Sequence, residues 1–133
     1  MAKEAPVLTV SVDSSVPTLA DISNDVIGVD FATPRGIQDS TGVDKTAHER
    51  LLLLADFSVT LKGIFNDAAL MSHIIFRTIP STAVVRTVTL AMSGQTLTNE
   101  CVLSDYALSR ATSGELTWSV PGALADGTAP TWS

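Results

Sequence analysis

The chain has 133 residues, of which 45% are hydrophobic, 17% charged and 5% aromatic, with a net charge of −6 and one cysteine. Low charge with ordinary apolar content excludes a disordered chain, and 8 Gly, 6 Pro and a single Cys exclude a collagenous or disulfide-stapled one. The acids outnumber the bases most in residues 1–67 (ten against five), and the eight bases are scattered singly, which disfavours tight nucleic-acid binding by phosphate neutralisation.

The start, MAKEAPVLTV, passes directly into alternation, so no leader is expected there. Val7–Val12 then reads as a strand with Leu8, Val10 and Val12 on one face. Val26–Phe31 reads as a second, setting Ile27, Val29 and Phe31 against Val26, Gly28 and Asp30. Residues 32–44, with Pro34, Gly36 and Gly42, suggest a long loop or hairpin. Thr46-Ala-His-Glu49 has the form of a capping box, so a short helical turn is expected into the leucines that follow. That leucine segment, Leu51–Ala55, is the longest apolar run, far short of the ~20 residues of a membrane helix.

Asp56–Phe65 is the clearest strand, with Phe57, Val59 and Leu61 alternating with Ser58, Thr60 and Lys62. Asp67 could cap a helix over about 67–77, with Leu70, Met71, Ile74 and Ile75 on one stripe, ending before Pro80. Ala83–Met92 and Glu100–Arg110 read as further strands, as does Glu115–Val120, where Leu116, Trp118 and Val120 point one way. Six or seven strands with intervening turns predict a mainly β domain, a sandwich or barrel, over residues 1–121. Residues 122–133, with Gly122, Gly127, Pro130 and Trp132, read as an extended C-terminal arm.

His48 lies between Asp44 and Glu49, but no nucleophile elbow accompanies it, and it reads as a polar group on a turn. His73 sits among apolar neighbours, and Cys101 shares a strand face with Leu103, so both read as packing. One Cys and two distant His cannot form a zinc site, and no nucleotide-binding glycine motif occurs. No catalytic residue, metal site or cofactor is therefore expected. The charged fraction is well under the ~25% of an average globular protein, and mean hydropathy is +0.30. Ser, Thr, Ala and Val must cover much of the surface, which favours packing of copies on one another over a monomer with a hydroxyl-rich skin.

Four segments stand out: DISNDVIGVDF (Asp21–Phe31), DSTGVDKTAHERLLLLADFSVTLKGIFNDA (Asp39–Ala68), RTVTLAMSGQTLTNECVLSDYALSRATSGELTWSVPG (Arg86–Gly122) and LADGTAPTW (Leu124–Trp132). Together they resemble the major tail (tail tube) proteins of long-tailed, non-contractile bacteriophages of the siphovirus type. The resemblance implies a β-sandwich or barrel-like tail-tube fold with one flanking α-helix, an extended loop and a C-terminal arm. It also implies a non-enzymatic virion protein, assembled in the host cytoplasm, whose hexameric rings stack into a conduit for DNA ejection. Its partners would be further copies, the tape measure protein, the tail terminator and distal tail proteins. Double-stranded DNA would pass without specific binding, and no membrane would be involved. Under this reading the candidate lumen-facing residues are Asp30, Asp56, Ser58, Thr60, Lys62, Glu115, Thr117 and Ser119. The candidate inter-subunit or inter-ring contacts are Arg35, Ile37, Asp39, Val43, Asp44 and Trp132. A contractile-system inner tube, a tail terminator and a capsid decoration protein remain as alternatives. So does a monomeric binding sandwich, for which Tyr106, Trp118 and Trp132 are the available aromatics.

Overall fold

In the computed structural model, residues 7–13 and 19–133 are described; the start of the chain, where no leader is expected, lies mostly outside them. Ten strands and one helix follow in the order β1 (Leu8–Asp13), β2 (Leu19–Asp21), β3 (Val26–Ala32), β4 (Arg35–Asp39), β5 (Arg50–Ala55), β6 (Ser58–Ile64), α1 (Ser72–Phe76), β7 (Arg86–Met92), β8 (Gln95–Leu103), β9 (Ala107–Arg110) and β10 (Leu116–Leu124). Eight strands form one antiparallel sheet in the order β2-β1-β7-β8-β10-β6-β3, with β9 also paired to β10. β4 and β5 form a separate two-stranded ribbon.

The sheet wraps around its core. Its two terminal strands, β2 and β3, are separated by residues 22–25 only. That turn is tied over β1, because Ile22 N–H donates to the Val10 carbonyl and Val10 N–H donates to Ser23 Oγ. The bend falls where β8 meets β10 through just three opposed pairs, Cys101–Leu124, Val102–Ala123 and Leu103–Gly122. Alternation explains the interior: Val10 and Val12, Val88 and Leu90, Leu97 and Cys101, Val59 and Leu61, and Trp118 and Val120 are all buried. Burying such a residue gains about 1.5–3 kcal/mol.

Special backbone positions make the wrap possible. Ser93-Gly94, both at positive φ, form the two-residue turn between β7 and β8. A Cβ on Gly63 would lie 2.2 Å from the Asp25 carbonyl and 2.4 Å from the Trp118 ring, so only glycine admits that close crossing. Pro121 sits inside a central strand, yet its carbonyl accepts from Ser104 N–H at the junction of β9 and β8. Its nitrogen faces the same junction, so the ladder to β6 loses no donor.

Two buried polar side chains fasten the helix. The Asp25 carboxylate accepts from Ser72 N–H at 3.0 Å and Asn66 Nδ2 at 2.9 Å. Arg86, 1% exposed, donates to the Ile75 carbonyl, Thr78 Oγ1 and the Asp13 carbonyl. Burial pushes its guanidinium below the ordinary value, partly offset by the Asp13 charge.

Several expectations are corrected. The run after the capping box is strand β5, and Thr46-Ala47 only bends. A helix of so few residues is marginal alone, whereas β4 offers a ladder. The 32–44 segment is not loop throughout, since Arg35–Asp39 forms β4. The helix expected over about 67–77 is confined to Ser72–Phe76, because Leu70 takes a left-handed φ of 60° before it. Asn66, rather than Asp67, receives the Ala68 N–H. The strand expected over Glu100–Arg110 breaks at 104–106 into β8 and β9. A bulge between Val26 and Gly28 leaves Ile27 exposed and turns Val26, Val29 and Phe31 towards the core.

Candidate assembly surfaces

The first surface is the outer face of β3, β6, β10 and β9. In antiparallel pairs, directly opposed residues share a face. Asp30 opposes Thr60, which opposes Pro121; Lys62 lies between Gly28 and Ser119; Ser58 lies between Ala32 and Ala123. Thr117 lies between Ile64 and Ser109. Six of the eight residues expected to line a channel, Asp30, Ser58, Thr60, Lys62, Thr117 and Ser119, are therefore brought onto one continuous hydroxyl-rich face. The Lys62 ammonium stands 3.8 Å from the Asp30 carboxylate, so the middle of that face carries no net charge.

The other two sit beyond its ends. Asp56 precedes β6 and accepts from its neighbour Phe57 N–H, while Glu115 precedes β10 and accepts from Ser113 Oγ. Because β6 and β10 run antiparallel, these two acids lie at opposite ends of the strand pair, about 30 Å apart at ~3.3 Å per residue. The face also has two open edges. Among the described residues β3 pairs only with β6, and β9 pairs only with β10.

The second surface is the β4–β5 ribbon. Leu51 and Leu53 alternate with Leu52 and Leu54, so both faces of β5 are apolar. All four are exposed, Leu53 least at 44% and Leu54 most at 92%. Ile37 on β4 and Val43 at the tip are open as well. Arg35, at the base, donates from Nε to the Leu53 carbonyl. An apolar depression of about 530 Å³ lies between Pro34, Gly36, Leu53, Leu54 and Asp56.

The ribbon's tip is ordered by polar contacts. The Asp39 carboxylate accepts from the Thr41 hydroxyl and N–H, Glu49 N–H donates to Thr41 Oγ1, and Lys45 pairs with Glu49 at 3.3 Å. The Thr41 hydroxyl, then its N–H, holds the Asp39 carboxyl below the ordinary carboxylate range. Folding therefore gains from that carboxylate above about pH 4, and the gain is lost as pH falls through the depressed value. His48 lies 3.4 Å from Asp39, and Asp44 faces the Gly42 turn. Five of the six expected contact residues, Arg35, Ile37, Asp39, Val43 and Asp44, thus share this one ribbon.

The sixth, Trp132, lies elsewhere. Residues 125–133 turn back along β8 of their own chain, and Trp132 forms a bridge to Leu97 and places its ring 6.2 Å from Phe31. Sequence reasoning did not anticipate the open leucines of β5 as a surface. Four leucines in a row, apolar on both alternating faces with no helix long enough to use them, were the available signal.

His73 and Cys101 are tied up in packing. His73 Nδ1 lies 3.2 Å from the Tyr106 hydroxyl, and burial pushes that phenol up to about 12. Cys101 is buried, and burial first, then Glu100 and Asp126, pushes its thiol up to about 12. No three metal-ligating side chains cluster among the described residues.

The wrapped antiparallel sheet with its projecting ribbon and short helix belongs to a known architecture. It is similar to a chain in the virion of a native gene transfer agent particle, with a TM-score of 0.78 and 16% identity over 99% of both chains. It is also similar to a chain in the tail of an empty gene transfer agent particle, computed with helical refinement and C6 symmetry, with a TM-score of 0.73 and 14% identity over 99% of both. At these identities the likeness is one of fold. No family model matches the sequence, and no curated protein sequence does.

Proposed function

We propose that this chain is the subunit of a phage-like tail tube, a non-enzymatic virion protein whose six-membered rings stack into a conduit for double-stranded DNA. The observation that carries this reading is the β4–β5 ribbon. A two-stranded ribbon is marginal in water, and here it holds four leucines open on both faces. Full-length likeness in fold to a chain of a C6-symmetric tail supports a second copy as the cover. The ribbon then serves as the contact between subunits or rings, with Arg35, Ile37, Asp39, Val43 and Asp44 on it.

The open edges supply the ring. If β9 of one copy pairs along β3 of the next, each copy contributes β9, β10, β6 and β3 to one closed barrel. Six copies give 24 strands. At ~4.8 Å spacing and ~40° tilt these close at a backbone diameter of about 50 Å, which leaves a bore wider than a DNA duplex. The hydroxyl-rich face of Ser58, Thr60, Thr117 and Ser119 would line it, with Asp30 and Lys62 neutralising each other. Asp56 and Glu115 would set an acidic rim at each end of the wall. Such a wall offers phosphates few cationic contacts and hence little friction. Tape measure, terminator and distal tail proteins would be the remaining partners, in the tail of a virion assembled in the host cytoplasm.

Negative-stain electron microscopy of the purified chain, concentrated to the millimolar range, tests the proposal. Hollow filaments with six-fold end views are the expected result. Isolated rings that never stack would favour a terminator, and strictly monomeric particles would overturn the tube. A contractile-system inner tube shares the expected filaments and is separated from this reading by a requirement for a sheath protein.

A further inference from the structure

The arm occupies an edge that it fits poorly. Thr96 and Ser133 exchange two backbone hydrogen bonds at 2.9 Å, and Ala125 N–H donates to the Glu100 carbonyl at 3.0 Å. Between these anchors the arm swings away from β8 and leaves a gap of about 280 Å³ bordered by Thr98, Asn99, Glu100, Asp126, Thr128 and Thr131. By strand alternation the Thr98 N–H and C=O face the same edge as those of Thr96 and Glu100. The bridge of Trp132 to Leu97 sets Thr131 opposite Thr98, yet no backbone hydrogen bond of ordinary geometry joins the two among the described residues. Asn99 is 6% exposed, borders the gap, and its Nδ2 has no partner among the described residues. A buried donor left unpaired weakens the closure it sits under. Nearly every residue of the arm is itself exposed, and Trp132 keeps 45% of its surface open.

An edge strand left bare is a template for another chain. Here it is covered, but at two points and over a defect. We propose that residues 126–133 are an intramolecular latch: they hold the β8 edge in the free subunit, and their detachment is the step that limits polymerisation. This rests on the tube reading, since it assigns the latch a role in that assembly. It gives the subunit a built-in delay, because the covering segment leaves at little cost yet must leave before the edge is offered.

A reversible lock tests it. Thr96 and Ser133 are a hydrogen-bonded antiparallel pair, whose Cα separation of ~5.5 Å suits a disulfide. In the double variant Thr96→Cys, Ser133→Cys, the native Cys101 stays out of the reaction because it is buried. The oxidised variant is expected to remain monomeric by sedimentation velocity and microscopy, and reduction should restore wild-type filament growth. Equal growth of the oxidised and reduced forms would overturn the latch.

Amide exchange on the wild-type monomer gives a second reading that needs no filaments. The amides of Thr96 and Ser133 should exchange roughly tenfold or more faster than that of Leu97, which faces β7. Equal protection of the three would overturn the latch on its own. Should the wild-type chain form no filaments at all, the tube reading fails, and the latch is then judged by exchange alone.

Discussion

The wrapped sheet and the β4–β5 ribbon are made of similar residues and end in opposite surroundings. In the sheet, a strand such as β6 turns one apolar row inward and one polar row outward, so Val59 and Leu61 vanish while Ser58 and Lys62 stay wet. In β5 the alternation is missing: Leu51 to Leu54 are apolar on both faces, and none has a core to enter. The sheet is thus complete within one chain except at its edges, and the ribbon is incomplete on every side. If the proposed assembly holds, a chain with both kinds of region would have separate determinants for folding and for assembly, and substitutions should be able to damage one without the other.

The largest effect is expected where the sheet depends on a single buried group. Arg86 joins β7, the end of α1 and β1 through three acceptors. Arg86→Ala would leave those acceptors dry and open a cavity at the end of α1; three unmet buried acceptors at about 1–3 kcal/mol each make a loss of about 3–5 kcal/mol the expectation. Chemical denaturation should show a loss of that order, and a loss under about 1 kcal/mol would show that the helix is held by its apolar contacts instead.

The complementary change belongs on the ribbon. Leu52→Asp with Leu54→Asp places two charges on one open face and touches nothing in the core. Monomer stability should move by less than about 0.5 kcal/mol, as surface substitutions do. Filament formation should stop, because burying two unpaired carboxylates at an interface costs several kcal/mol each. Filaments of normal length from this variant would remove the ribbon from the assembly contacts.

How far these regions were legible from sequence follows from their physics. β6, β7 and β10 were readable because alternation at period two needs no knowledge of the partner. The sequence around β5 imitates a helix, because Leu favours helices and Thr46-x-x-Glu49 has the form of a helix start, while the deciding ladder comes from β4, across the ten residues 40–49. The break at 104–106 carries no Gly or Pro to announce it. Arg86 kept the phase of an inward position but not the chemistry, so its burial was invisible. Trp132 was expected to meet a neighbour, and its bridge to Leu97 spans a separation that no local pattern encodes. Of the candidate surface residues, those on β3, β6 and β10 converged because strand parity alone assigns them one face.

The smallest effect, and the one that bears on the channel, concerns the two acids beyond the ends of that face. Asp30 pairs with Lys62, so in the proposed tube the charge of the wall would rest on Asp56 and Glu115. In a six-fold ring the double variant Asp56→Lys, Glu115→Lys turns twelve negative charges into twelve positive ones. Glu115 lies away from the ribbon, whereas Asp56 borders its depression beside Leu53 and Leu54, so the single variant Glu115→Lys, expected to form rings and filaments as before, is the control for the double one. What changes is the path of the duplex. Each new cation close to a phosphate releases a counterion, and affinity then falls with the logarithm of salt at a slope of about −0.9 per contact. Filaments of the variant should therefore retain short duplex DNA at low ionic strength and release it as salt rises, whereas wild-type filaments retain none at either. Retention lost by blocking the filament ends would place the contacts within the bore. Wild-type and variant filaments that ignore DNA alike would show that these acids point away from the channel, and the lining would then have to be sought on the outer face of β1, β7 and β8.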